Sequence, residues 1–383
     1  MSDAFGLYVH VPYCRHVCPY CDFNVQAARV APEQEYVDGL ERELAAHARD
    51  PLWAGRPVRT IFLGGGTPSL FSPAAVARIL AAVGRRFAVA RDAEVTLEAN
   101  PGTVSRSALD GYRVAGVNRL SLGAQSFDAG VLATLGRDHA VADVGQAVGA
   151  ARDAGFENVS LDLIYAVPGE TVAVWERDLA AAIALAPEHV SAYALTYEEG
   201  TPYAAWRASG RLTPVAEDDE ATMAELALVR LEAAGLRRYE ISSWARPGRE
   251  ARHNLGYWDG SDYLGVGAGA HSFSRTPAPG RRWMNERPPA RWLAGVAERG
   301  TAIATDERLT ERQARGEFVV TGPRRIAGVD ADAFARRFGT RLDAAFPELA
   351  ALADDGLVEP VPGGVRLSRR GLLFADTVAA RLV

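Results

Sequence analysis

The stretch Tyr8-Val9-His10-Val11-Pro12-Tyr13-Cys14-Arg15-His16-Val17-Cys18-Pro19-Tyr20-Cys21-Asp22-Phe23 decides how the rest of the chain is read. It holds all 3 cysteines of the 383 residues, four and then three positions apart, directly after an alternating, strand-like run. Pro12 and Pro19 argue against a helix here, because proline restricts both itself and the residue before it. The thiols therefore sit on a loop at a strand's C-terminal end, where they can converge on one small object.

Three ligands suit a 4Fe-4S cluster whose fourth iron stays open to a substrate, since such clusters are held by cysteine thiolates. Tyr13, Tyr20 and Phe23 would shield it from water. A zinc site is the alternative and needs a fourth ligand, which His10 or His16 could supply. A structural disulfide fits poorly, because an odd count leaves one thiol over.

At 383 residues the chain has room for two or three domains at roughly one per 150 residues. No apolar run approaches the roughly 18 residues of a membrane span, and the start lacks the basic and apolar regions of a signal peptide. The expectation is a cytoplasmic, reducing location with at most peripheral membrane contact. A net charge of −6 argues against a dominant basic surface for nucleic acid. The chain contains no lysine, which excludes a phosphate-loop lysine, a pyridoxal Schiff base and any catalytic lysine of its own.

Further along, residues 33–49 read as an amphipathic helix with Tyr36, Leu40, Leu44 and Ala48 on one face. Strand-like runs at 59–63, 94–99, 118–123, 158–165 and 189–196 alternate with helical stretches near 73–87, 105–115, 141–154 and 171–186. With the first strand these predict six parallel strands in an α/β fold, a partial (β/α)6 TIM-like barrel. A helix over 216–234 and one strand over 238–245 follow. The tail from residue 301 predicts helices near 310–316, 330–338 and 346–355, a hairpin over 356–367 and a final helix, a winged-helix-like unit. The expected divisions are a barrel over 1–238, an accessory strand and loop region over 239–300, and the winged-helix-like unit over 301–383.

In such barrels the chemistry lies at the C-terminal strand ends. Gly64-Gly65-Gly66-Thr67-Pro68-Ser69 follows the second strand, where glycine lets backbone approach a ligand closely. Glu98 ends the third in Leu97-Glu98-Ala99-Asn100-Pro101, Gln125 and Ser126 follow the fourth, and Asp162 interrupts the fifth. A half-buried carboxylate is costly unless something cationic or hydrogen-bonding meets it. His271, in the glycine-rich run 263–272, is a candidate to line the cofactor pocket.

These motifs, with Leu120-Ser121-Leu122-Gly123-Ala124-Gln125-Ser126-Phe127 and Leu161-Asp162-Leu163-Ile164-Tyr165-Ala166-Val167-Pro168-Gly169-Glu170-Thr171, resemble the coproporphyrinogen III oxidase-like (HemN-like) radical SAM family over nearly the whole chain. Two departures from the dehydrogenase pattern, the loop beginning at Tyr8 and Cys21 being followed by Asp22-Phe23, point to the HemW-type haem chaperones within it. His253-Asn254-Leu255-Gly256-Tyr257-Trp258 is similar to that branch's haem-associated motif, and imidazole is a common axial ligand of haem iron.

The resemblance implies that Cys14, Cys18 and Cys21 ligate a 4Fe-4S cluster and that Tyr8, Gly65 and Glu98 bind S-adenosylmethionine on its open iron. Tyr20, Gly66, Thr67, Gln125, Arg137, Asp162 and Ala194 match positions that contact a second S-adenosylmethionine in HemN-like enzymes. His253 becomes the haem candidate. The implied activity is delivery of haem to apo respiratory enzymes, with a homodimer left open; the alternative is oxidative decarboxylation of coproporphyrinogen III. A tRNA-modifying relative is disfavoured by the acidic balance.

Overall fold

Residues 4–383 are described by a computed structural model. Strand β1 (Phe5–Val11) is followed by β2 (Pro57–Gly65), β3 (Ala88–Ala99), β4 (Arg119–Gln125), β5 (Val159–Tyr165) and β6 (His189–Ala194), each parallel to the one before. The crossovers carry helices α1 (Glu33–His47), α2 (Pro73–Arg86), α3 (Arg106–Ala115), α4 (Val141–Asp153) and α5 (Val172–Ala184). Local chemistry sets their starts: the hydroxyls of Ser72, Ser105 and Thr171 accept from Ala75, Ala108 and Val174 amides at the N-termini of α2, α3 and α5. The core lies between these strands and their helices, and buried polar residues such as Thr60, Thr96, Ser121, Ser160 and Ser191 interrupt the strands' apolar runs.

The sheet does not stop at six strands. After α6 (Glu217–Ala233) come β7 (Arg237–Glu240), β8 (Ser243–Ala245), β9 (Tyr263–Val266), β10 (His271–Ser274), β11 (Arg281–Asn285) and β12 (Ile303–Arg308). They extend both edges of one 12-stranded sheet in the order β12-β11-β10-β9-β1-β2-β3-β4-β5-β6-β8-β7. Strand β9 is parallel to β1; β10, β11 and β12 continue antiparallel from it. The sheet thus crosses both the 238/239 and the 300/301 divisions expected above.

Three local expectations need correction. The single strand over 238–245 is two antiparallel strands, broken where the Glu240 carboxylate accepts from the Ser242 amide. The motif beginning at His253 is not strand or loop but helix α7 (Arg252–Trp258), and α8 (Pro289–Arg299) also lies in that region. The start of α7 is held from far away: Glu94 on β3 accepts from the Arg252 and His253 amides, both at 3.0 Å. A cap supplied across the fold leaves no local sequence signal. Residues 303–308 belong to the main sheet rather than to the tail.

Beyond β12, helices Glu311–Thr321, Ala331–Phe338 and Glu348–Asp354 surround a small sheet of Val329–Asp330, Gly364–Leu367 and Val358–Val361. Phe334, Phe346, Leu352 and Val378 form its own core. This is the winged-helix-like unit.

Candidate functional site

Every parallel strand delivers its functional side chains to one edge. Past β1 the chain turns at Pro12, and a two-residue bridge pairs Tyr13–Cys14 with Gln26–Ala27, so the cysteine loop is tied at its base. The glycine segment past β2 docks on it by backbone: Gly66 donates to Val11 O and Thr67 to Tyr13 O, both at 2.8 Å. The Thr67 hydroxyl meets Cys14 Sγ at 3.4 Å. Glycine is required twice here. Gly65 has φ +110 and a Cβ would lie 2.4 Å from the His10 ring; at Gly66 a Cβ would lie 2.7 Å from Tyr13 O.

All three cysteines are free, Cys18 buried and the other two half-buried. Burial pushes the Cys21 thiol up to about 11 and raises Cys14. Among the described residues no three His, Cys, Asp or Glu side chains are grouped as ligands of a single ion; a cubane cluster instead takes each thiolate at a separate iron corner. Arg137 supplies the fit on the anionic side. Its guanidinium reaches Cys18 Sγ at 3.9 Å and donates to Gly123 O at 3.0 Å, while its Nε is buried without a partner. A bound anion is what such an orphaned donor lacks.

Tyr8, His10 and Asn24 form a relay. His10 Nε2 donates to Asn24 O at 2.8 Å, so Nδ1 is the acceptor and the Tyr8 hydroxyl donates to it at 2.9 Å. Burial lowers His10 to about 4, which keeps it neutral. Glu98 accepts from the Gly65 amide at 3.0 Å and is raised to about 7, first by burial and then by the Asp162 charge. Asp162 accepts from Ser121 at 2.9 Å, and buried Arg119 opposes both carboxylates.

The expected residues therefore form two groups. Tyr8, Gly65 and Glu98 line a cavity of about 800 Å³ together with Asp22, Phe23 and Asn24. Tyr20, Gln125 and Arg137 gather instead around Cys18 and Gly123: a Cβ on Gly123 would meet Gln125 Nε2 at 2.9 Å and Arg137 Nη2 at 3.4 Å. Gln125 adopts φ 64, unusual for a side-chain-bearing residue and a sign of a constrained strand end. Gly66 and Thr67 contact the cysteine loop, Asp162 sits within β5, and Ala194 closes β6.

His253 does not reach the cavity; Tyr257 and Trp258 from the same helix do. The His253 ring is buried with both nitrogens engaged, Nδ1 with Thr60 and Nε2 with Tyr257, each at 2.8 Å, and burial lowers it to about 3. It offers no free nitrogen to iron in this conformation. Sequence reading passed over Asn24, Arg119, Phe318 and Arg337; the last two reach the cavity from the winged-helix-like unit, and no local pattern marks them.

A parallel α/β sheet presenting a Cys-x3-Cys-x2-Cys loop beside a glycine segment defines a radical SAM protein, and the chain matches the Radical SAM superfamily over residues 8–182 and the HemN C-terminal domain over 309–374. It is 36% identical to the heme chaperone HemW of Bacillus subtilis over 374 residues, 97% of each chain, and 40% identical to that of Escherichia coli over 333 residues, 82% of this chain and 85% of that one. Among solved structures, coproporphyrinogen III oxidase (HemN) of Escherichia coli aligns with TM-score 0.85 at 25% identity, covering 100% of this chain and 90% of that one. The chain belongs to the HemW family within the HemN-like radical SAM proteins. That membership implies a 4Fe-4S cluster and S-adenosylmethionine, and the cysteine loop, the glycine cradle and Arg137 fit both.

Proposed function

We propose that this chain is a haem chaperone: it holds a 4Fe-4S cluster on Cys14, Cys18 and Cys21, binds S-adenosylmethionine beside it, takes up haem and delivers it to apo respiratory enzymes. One observation carries the reading. The cavity that begins at Tyr8, Gly65 and Glu98 continues to a far wall of Tyr257, Phe273, Phe318 and Arg337, apolar faces and a cation suited to a dianionic planar ring. Family membership and the relatives named HemW heme chaperone support it.

When bound, the cluster and S-adenosylmethionine supply reductive cleavage of a carbon–sulfur bond. The chain's own residues orient. Glu98, which accepts from the Gly65 amide, would take a cationic group of S-adenosylmethionine, Gly65 and Gly66 would let it approach the backbone closely, and Tyr8 would close the wall. The Arg137 group, with Tyr20, Thr67, Gln125, Asp162 and Ala194, is assigned to the anionic side of the cluster or to a second S-adenosylmethionine. His253 enters as the residue that fixes Tyr257; acting as haem ligand it would have to surrender that bond. The proposal places the protein in the cytoplasm and leaves a homodimer open; the divisions 1–238, 239–300 and 301–383 stand as stretches of sequence, with one sheet running through all three. Among the described residues no helix is long and apolar enough to cross a membrane.

The second reading, oxidative decarboxylation of coproporphyrinogen III, is favoured by the whole-chain likeness to HemN. Anaerobic reconstitution followed by parallel incubation with haemin and with coproporphyrinogen III plus reductant separates the two. Haem uptake without decarboxylated porphyrin is expected; turnover to protoporphyrinogen IX without haem uptake overturns the chaperone.

A further inference from the structure

Strands β10 and β11 form the far wall of the cavity. His271 is paired directly with Met284 and Phe273 with Arg282 across their antiparallel ladder. Side chains two apart on a strand, and their cross-strand partners, share a face. All four line the cavity that begins at Tyr8 and Glu98.

Among the 7 histidines of the chain, His271 stands apart. His10, His189 and His253 have both ring nitrogens engaged, His16 and His139 each bond a backbone carbonyl, and His47 is buried. The His271 ring is exposed, and among the described residues it makes no hydrogen bond or ion pair. Partial desolvation and the charges of Arg287 and Arg282 lower its pKa, so it stands as a neutral imidazole with one ring-nitrogen lone pair to give.

A second, independent feature marks an anionic ligand. Arg337 is half-buried, lines the same cavity, and among the described residues has no carboxylate within 4.0 Å; it donates to Pro279 O at 3.3 Å and lies over Phe273 and Phe338. Arg282, by contrast, is already held by Glu307 and Glu317.

We propose that His271 is the iron ligand of the haem cargo, with Phe273 and Met284 against the same porphyrin face and Arg337 taking the propionate edge. This rests on the haem-chaperone reading above. Met284 cannot serve as the second axial ligand of the same haem. Cross-strand neighbours rise side by side from one sheet face, and axial ligands must approach from opposite sides. The haem therefore carries one protein ligand from this wall, which suits a cargo that must leave.

The test is titration of the anaerobically purified full chain with haemin, with iron-free protoporphyrin IX and with haemin dimethyl ester, read by absorbance and resonance Raman. His271→Ala is expected to lose the iron–imidazole signature and to weaken haemin binding about ten-fold or more, to leave iron-free protoporphyrin within about two-fold, and to regain the signature with added imidazole. Arg337→Gln is expected to weaken haemin but not its dimethyl ester. Wild type and His271→Ala binding haemin with one spectrum and one affinity would overturn the ligand assignment while leaving the chaperone reading intact. Wild type failing to bind haemin would overturn both.

Discussion

At position 10 the imidazole has no choice of tautomer, because a carbonyl on one side can only accept and a tyrosine hydroxyl is left to donate on the other. Constraint of this kind runs through the site, and its sharpest form is at Gly66. A Cβ there would meet the carbonyl oxygens of Tyr13 at 2.7 Å and Val11 at 2.9 Å, which are backbone and cannot swing aside. Gly66→Ala should part the glycine segment from the cysteine loop, so that reconstitution yields less than stoichiometric iron and sulfide while far-UV circular dichroism stays that of wild type. His253 makes a pH prediction. Its folded pKa is lowered from 6.5 to about 3, so as pH falls the unfolded chain takes up the proton first. Stability that is intact above about pH 6.5 is lost on descent toward pH 3, by about 2 kcal/mol at pH 5 from this residue alone. The urea-measured stability gap between wild type and His253→Gln should narrow by that amount between about pH 7.5 and pH 5.

At the scale of elements, α1 is the brace for the turn that carries His271. The Tyr36 hydroxyl donates to His10 O and accepts from the Ala268 amide, both at 2.9 Å, and its ring lies 4.6 Å from that of Trp292 on α8. Two turns further on, Glu43 accepts from Gly267, Asn285 and Trp292, and burial still raises its carboxyl to about 8. Gly267 itself has φ +101 and a Cβ would sit 2.5 Å from His10 O, so no larger residue fits. Tyr36→Phe keeps the ring and strands two buried backbone groups. It should cost roughly 2–6 kcal/mol in denaturant unfolding, at about 1–3 kcal/mol per unpaired group.

Across the whole molecule, the large core lies between the parallel strands and their helices, a smaller core fills the winged-helix-like unit, and the three cysteines belong to neither. The cluster is consequently held by the fold rather than the fold by the cluster, unlike small metal domains that unfold without their ion. Replacing Cys14, Cys18 and Cys21 together with alanine should abolish the visible absorbance of the reconstituted protein and move its thermal midpoint by no more than a few degrees, followed by circular dichroism.

The six-stranded parallel run was legible because its signals are local: strand-like apolar runs alternating with helical stretches, and chemistry gathered at strand ends. The cysteine spacing, the triple glycine and Glu98 were legible for the same reason. Helix α7 was not, since its cap comes from Glu94 on β3. Nor was the burial of His253, whose partners Thr60 and Tyr257 lie one strand away and one helical turn on. The chain alone determined the cysteine spacing and the glycine segment, because those residues follow one another along it. Only the tertiary structure decided that of the two histidines lining the cavity His10 is locked between Tyr8 and Asn24 while the His271 ring is left open. Exposure is set by how β9 to β12 and the winged-helix-like unit close around that space, through hydrogen bonds and packing between residues hundreds of positions apart.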